Sequence, residues 1–289
     1  MGGTWSSCNL PRKKRLRVIL AGGGSKGCFQ VGVLTEILRS GKYTIDQVYG
    51  CSIGAILAPL VANERVDLML LLFDQIKSID DIMYKRKFIP DCLIGLCVLL
   101  NMGPAYESVK LIDTVLDSLT PEEIEVAESK CHVVAHDLYT DSPVWFTGES
   151  LERGIRCSSA LWIAVPPIEN RYADGGLSGL FRDQYILEGE NDLDVEYLYI
   201  ECNACNACNV KDVTKPVPTD PIGMLSTFHS KAISRLNELD LDSFKERLAS
   251  KLTIIRPDQN YLLNTLDIDP SRMKATLEHG MSKGREFLG

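Results

Sequence analysis

One stretch decides the fold: Leu16-Arg17-Val18-Ile19-Leu20-Ala21-Gly22-Gly23-Gly24-Ser25-Lys26-Gly27. Residues 16–21 are an apolar run of strand length, and residues 22–27 read as a tight glycine-rich loop. Beyond the loop, Phe29, Val33, Leu34, Ile37 and Leu38 recur at helical spacing, and Gly41 closes that helix. A second strand near 47–50 runs into Gly50-Cys51-Ser52-Ile53-Gly54, and a second helix starts just after Ser52. Strand, loop, helix, strand, turn, helix is the order of a parallel sheet covered by helices.

The rest of the chain continues in that manner. Residues 66–102 read as helical with breaks near Pro90 and Gly95, and further helices are expected at 107–119, 149–160, 220–250 and 270–288. Asp269 is placed to cap the last of these, with Pro270 in its first turn. Strands are expected at 131–137, 144–146, 195–201 and 252–255, with a short strand-like run at Arg171-Tyr172-Ala173. Residues 16–289 show no repeat, low-complexity tract or linker, so they read as one domain behind a flexible tail at 1–15.

With 289 residues, 45% hydrophobic and 24% charged, the chain is not collagen, a coiled coil or a disordered polymer. A chain of this length buries about 75% of its unfolded surface, so it needs no disulfide or metal staple. The net charge of −8 argues against a general nucleic-acid binder. Ten cysteines, several in apolar runs, together with an N-terminus lacking the apolar core of a signal peptide, point to free thiols in a reducing, intracellular setting. The longest apolar window, 92–100, is well short of the about 20 residues a membrane span needs, and it reads as core rather than an interfacial lid.

The tail carries its own signals. Met1-Gly2-Gly3-Thr4-Trp5-Ser6-Ser7-Cys8 fits the N-myristoylation pattern at Gly2, and Cys8 offers a palmitoylation site. Arg12, Lys13, Lys14, Arg15 and Arg17 crowd five basic residues into a six-residue window that could face anionic lipid. A single acyl chain holds a membrane only marginally, so these signals would act together at a cytoplasmic membrane surface.

Chemistry is concentrated at two glycine-rich turns and one aspartate. Gly50-Cys51-Ser52-Ile53-Gly54 is a G-x-S-x-G sequence between a strand and a helix, the context in which a serine hydroxyl is raised above a sheet. A hydroxyl needs a base. His132, His136, His229 and His279 are one source; Asp174, followed by Gly175 and Gly176, is another. Residues 22–27 match a dinucleotide fingerprint in form, but the acidic residue required at the end of the next strand is missing there: Asp46 precedes that strand. Cys28 stands where a P-loop needs lysine. The remaining reading is an oxyanion hole built from the consecutive amides of Gly22, Gly23 and Gly24. Cys202, Cys205 and Cys208 have metal-like spacing without a nearby fourth ligand, and read as a loop after the 195–201 strand.

The glycine loop, the Ser52 turn and Asp174-Gly175, in this order, resemble the patatin-like phospholipase family. His136-Asp137-Leu138, Cys157-Ser158-Ser159-Ala160, Pro166-Pro167 and Tyr172-Ala173-Asp174-Gly175-Gly176 add weaker likeness, so that the resemblance spans nearly all of 16–289. It implies a three-layer α/β/α sandwich with a mainly parallel central sheet. It also implies hydrolysis of fatty-acyl esters in phospholipids or related lipids, of phospholipase A or lysophospholipase type, without metal or cofactor. Ser52 would be the nucleophile and Asp174 the base, with the amides around Gly23 and Gly24, joined by Ile53, holding the oxyanion. Lys26, Gly27, Gly50, Gly54, Gly175 and Gly176 would support the motifs; Lys26 would steady the loop, face a phosphate, or stand as an exposed charge at a helix start. Cys51 and Lys26 depart from the family's commoner threonine and arginine. Two other functions fit less of the sequence: a Ser-His-Asp esterase using one of the four histidines, and a lipid-anchored, non-catalytic membrane adaptor.

Overall fold

The computed structural model describes residues 13–85, 106–162, 164–181, 185–187, 194–204 and, apart from 263 and scattered positions at 229–243, 227–289. Its strands in chain order are β1 (Lys14–Leu20), β2 (Tyr43–Cys51), β3 (Met83–Lys85), β4 (Tyr106–Val109), β5 (Cys131–Asp137), β6 (Ser142–Phe146), β7 (Tyr172–Ala173), β8 (Val195–Ile200) and β9 (Leu252–Ile255). Seven of these form one sheet in the order β6-β5-β2-β1-β8-β9, with β7 also on β5; β3 and β4 make a separate antiparallel pair. Pairing is parallel from β5 through β9, and only β6 and β7 run antiparallel to β5.

Period-two alternation divides the side chains of this sheet between two cores. On β1, Leu16, Val18 and Leu20 enter one core while Ile19, followed by Ala21, enters the other. β8 repeats the division, with Leu198 and Ile200 on the first side and Tyr197 and Tyr199 on the second. The first core is closed by α1 (Cys28–Arg39), α2 (Ile53–Ala62), α3 (Val66–Gln75), α4 (Lys110–Asp117), α5 (Pro121–Lys130) and α6 (Leu151–Ser158), with α7 (Pro270–Leu288) packed along α1. The second is covered in part by helical residues carrying Leu241, Phe244 and Leu248. The result is the expected three-layer α/β/α sandwich on a mainly parallel sheet. Every residue of α2 is buried, because it lies between the sheet and its neighbouring helices.

One detail of register positions the site. Cys51, the last residue of β2, pairs with Val134 of β5, and Ala173, the last of β7, pairs with His136. β6 occupies the other edge of β5, so β2 and β7 share one edge and meet end to end opposite Ala135. Ser52 and Asp174 therefore leave the sheet at the same gap.

The structure corrects several element boundaries. The apolar stretch from 66 is helical only to Gln75; the chain then turns into β3, and residues 86–105, including the 92–100 window, lie outside the described residues. The helix expected from 107 starts at Lys110, because 106–109 pair as β4. α5 was not anticipated, although Thr120 and Glu123 form a capping box before it, with Pro121 in its first turn. At the N-terminus β1 already starts at Lys14, inside the stretch assigned to the tail. Lys14 pairs with Glu196 at 2.6 Å, and Arg15 and Arg17 both bind Asp46, so these three basic side chains take part in ion pairs along the sheet. Gly2 and Cys8 lie outside the described residues. No helix among the described residues is long and apolar enough to cross a membrane.

Candidate active site

Ser52 occupies the turn between β2 and α2 with φ 53° and ψ −118°, a conformation costing a non-glycine residue about 1–3 kcal/mol. The flanking glycines explain how the chain closes so sharply. A Cβ on Gly50 would lie 2.6 Å from the Gly54 carbonyl oxygen, and one on Gly54 would lie 2.4 Å from the Leu20 carbonyl oxygen. The start of α2 can thus sit directly on the ends of β1 and β2.

The Ser52 hydroxyl donates to Asp174 Oδ2 at 2.6 Å, across 122 residues of sequence. Asp174 is 2% exposed, and its other oxygen, Oδ1, accepts from the Gly176 amide at 2.9 Å. Gly175 packs on the Val134 carbonyl, which seats the Asp174 turn against β5. His136 and Ser178 share a 2.7 Å hydrogen bond that clips the far end of the same turn to that strand.

Above this pair the glycine loop forms one wall. Gly24 has φ +55°, and a Cβ there would lie 2.1 Å from the Thr265 carbonyl oxygen, so only glycine fits. Ser25 donates its amide to that same carbonyl at 2.9 Å, fastening the loop to the chain before α7. Gly27 lies against Ile53. Among the described residues, the Gly23 and Gly24 amides donate to no protein atom. The Gly22 amide is directed instead at the Cys51 sulfur. Ile53 opens α2, where no acceptor lies one turn back and no side chain caps the helix. Gly23, Gly24 and Ile53, at the positive end of α2, thus line the same cavity as Ser52.

Lys26 is not the exposed helix-start charge that was one of its expected roles. It is 4% exposed, burial lowers its pKa, and its Nζ donates to Asn203 Oδ1 at 2.7 Å. Asn203 is held in turn by Glu201, which accepts its amide. Lys26 therefore ties the glycine loop to the end of β8, where Cys202 also packs against Gly23. Cys205 and Cys208 lie outside the described residues.

Ser52 and Asp174 open into a cleft whose empty space, the open solvent at its mouth included, is about 830 Å³. Its walls beyond the polar end are apolar: Ile53 and Ile56 of α2, Phe73 and Ile76 at the end of α3, Ile82 and Met83 at the start of β3, and Leu161, Leu266 and Ile268 from loops. Such a lining suits a ligand with an apolar part and one reactive polar group. Among the described residues, no histidine lines it. His132 bonds with Gln47 and Tyr185, His136 with Ser178, and His279 with the Asp258 amide; His229 lies outside the described residues. Ser159, Asn203 and Thr265 line the cavity without having been singled out from the sequence. Ser159 lay in a quoted stretch, but nothing local marks Asn203 or Thr265.

A serine on a strained strand-to-helix turn, hydrogen-bonded to a buried acid beside a glycine-rich loop, places the protein among α/β folds with a sharp strand–serine–helix turn at the sheet. The family model of the patatin-like phospholipases matches residues 18–180, more than half of the chain and all three motifs, and the chain belongs to that family. Among curated proteins it is similar to uncharacterized NTE family proteins of Mycobacterium bovis and Mycobacterium tuberculosis, 28% identical over 166 residues, 56% of this chain and 43% of theirs. The chain thus spans less than half the length of the curated relatives it matches. Among solved structures it is similar to VipD from Legionella pneumophila, with a TM-score of 0.48 and 13% identity over 96% of this chain and 67% of that one. The type III effector ExoU gives a TM-score of 0.41 and 12% identity over 94% and 52%.

Proposed function

We propose that this protein is a lipid acyl hydrolase of phospholipase A or lysophospholipase type, working through a Ser52–Asp174 dyad and an acyl-enzyme. The observation that carries the reading is the 2.6 Å hydrogen bond from the Ser52 hydroxyl to Asp174 at the polar end of a large apolar cavity. The acyl chain of the substrate lies along the apolar walls, which brings its ester carbonyl to Ser52. As Ser52 Oγ attacks the carbonyl carbon, its proton passes to Asp174 Oδ2. The negative charge that develops on the carbonyl oxygen is received by the Gly23, Gly24 and Ile53 amides. A donor of that kind is worth about 2.7–4 kcal/mol to the transition state. The proton then moves to the leaving alcohol, and the acyl group stays on Ser52. Water entering in place of the alcohol gives its proton to Asp174 as it attacks the acyl carbon; the bond from that carbon to Ser52 Oγ then breaks, Ser52 Oγ takes the proton back from Asp174, and the fatty acid leaves.

Direct contact between hydroxyl and carboxylate, with the described histidines engaged elsewhere, favours this reading over a Ser-His-Asp esterase. The test is mass-spectrometric product analysis on a mixed lipid extract with the wild type, Ser52→Ala and Asp174→Asn. Fatty-acid release is expected from the wild type alone, and full activity in either variant overturns the dyad. Attachment to a membrane through acylated Gly2 and Cys8 belongs to the same proposal. Expression with a clickable myristate analogue checks it: label is expected on the wild type and lost in Gly2→Ala.

A further inference from the structure

The three residues Ser158-Ser159-Ala160, at the C-terminal end of α6, touch both members of the dyad. The Ser52 amide donates to Ser158 Oγ at 2.9 Å, and Ser159 Oγ donates to the Ser52 carbonyl at 3.4 Å. The Asp174 amide donates to the Ala160 carbonyl at 3.0 Å. Ser158 and Ala160 are fully buried and Ser159 is 5% exposed. The segment is itself fixed, with the Ser159 amide donating to Ile155 and the Ala160 amide to Cys157. α6 in turn lies along β5, the strand whose edge carries the ends of β2 and β7.

We propose that this segment is a common mount for nucleophile and base, and that Ser158 is the positioning residue that holds Ser52 in its left-handed conformation. The inference rests on the hydrolase reading for its kinetic part but not for its geometric part. Ser52 and Asp174 come from segments 122 residues apart, and each has its own freedom to drift. Fastening both backbones to three consecutive residues makes their errors correlated, so the 2.6 Å contact survives movements of the surrounding loops. Ser52 needs the stronger hold because its φ of 53° is costly for serine. The bond from its amide to Ser158 opposes relaxation of that turn. A displacement of the reacting groups by about 1 Å can cost roughly 100-fold in rate, so loss of the mount should appear in turnover rather than in substrate binding.

The test compares Ser158→Ala with Ser158→Cys, which keeps the buried site filled, by a somewhat larger group, but supplies a poor acceptor. Each is measured with a soluble p-nitrophenyl acyl ester, alongside thermal unfolding. Both variants are expected to lose about tenfold to 100-fold in kcat with KM within about twofold of wild type, while remaining folded at the assay temperature. Full kcat in Ser158→Cys overturns the proposal, because the side chain would then act through packing alone. A fall in kcat that merely follows the folded fraction overturns it as well. The crystal structure of Ser158→Cys gives a readout independent of activity: Ser52 Oγ is expected to move out of hydrogen-bond reach of Asp174 Oδ2. A separation still at 2.6 Å sinks the mount even if the wild type hydrolyses no ester. Absence of wild-type turnover alone would sink only the hydrolase reading.

Discussion

Ser52 pays in backbone energy for the direction in which its hydroxyl points. At φ 53° and ψ −118° the residue is strained, and the hydrogen bonds to Ser158, Ser159 and Asp174 offset part of that cost. A stability test follows from this. Both variants lose the hydrogen bond to Asp174, but Ser52→Gly also removes the steric strain, whereas Ser52→Ala retains it. Ser52→Gly is expected to be more stable than Ser52→Ala by about 1 kcal/mol in denaturant unfolding, although both lack activity. Equal stabilities would mean that the turn is not strained. At the same scale Lys26, for which an exposed charge was one of three expected roles, is held inside. Its ammonium reaches Asn203, and this bond compensates part of the cost of burying it.

At the scale of elements, the cavity is made by α2, the end of α3 and the paired strands β3 and β4 rather than by any single motif. Ile56 sits one turn into α2, 4% exposed, with its side chain on the apolar wall. Ile56→Trp is expected to shorten the space available to an acyl chain. The ratio of kcat/KM for long-chain over short-chain p-nitrophenyl esters should then fall by about tenfold, a change of the size that a few methylenes command in an apolar pocket. An unchanged ratio would place the chain elsewhere. The pairing of β3 with β4 was illegible in the sequence for a physical reason. An apolar run from 66 onward satisfies a helix and a buried strand alike, and only pairing of Met83 with Val109 and of Tyr84 with Ser108 selects the strand. By contrast 131–137, 252–255 and 270–288 were legible to the residue, because turn residues or a cap bound each of them.

At the scale of the whole molecule, the second core places a titratable group under the sheet. His132 stacks on Tyr49 and shares hydrogen bonds with Gln47 and Tyr185; burial, aided by the nearby Arg17 charge, lowers its pKa from 6.5 to about 4. In the unfolded chain it takes up a proton at 6.5, and in the fold only near 4. Between those values the unfolded state binds more protons, so stability falls as the pH is lowered through that window. His132→Gln is expected to show a shallower loss of stability between pH 6.5 and 4 in denaturant titrations. An equally steep loss would move the cause to another group.

What the sequence determined by itself was local and periodic. The alternating apolar strands and the G-x-S-x-G turn in its strand-to-helix setting are written in neighbouring residues, because strands, helices and turns are satisfied by spacing and by the backbone freedom of glycine. The choice of Asp174 over a histidine was not local. It came from resemblance, and it acquired a geometry only when β2 and β7 were laid end to end on one edge of β5. The mount at Ser158, the burial of Lys26 and the apolar walls likewise depend on contacts between segments distant in the chain, such as Lys26 with Asn203 across 177 residues. No periodicity encodes such contacts: they exist only where sheet register and helix packing bring the parts together.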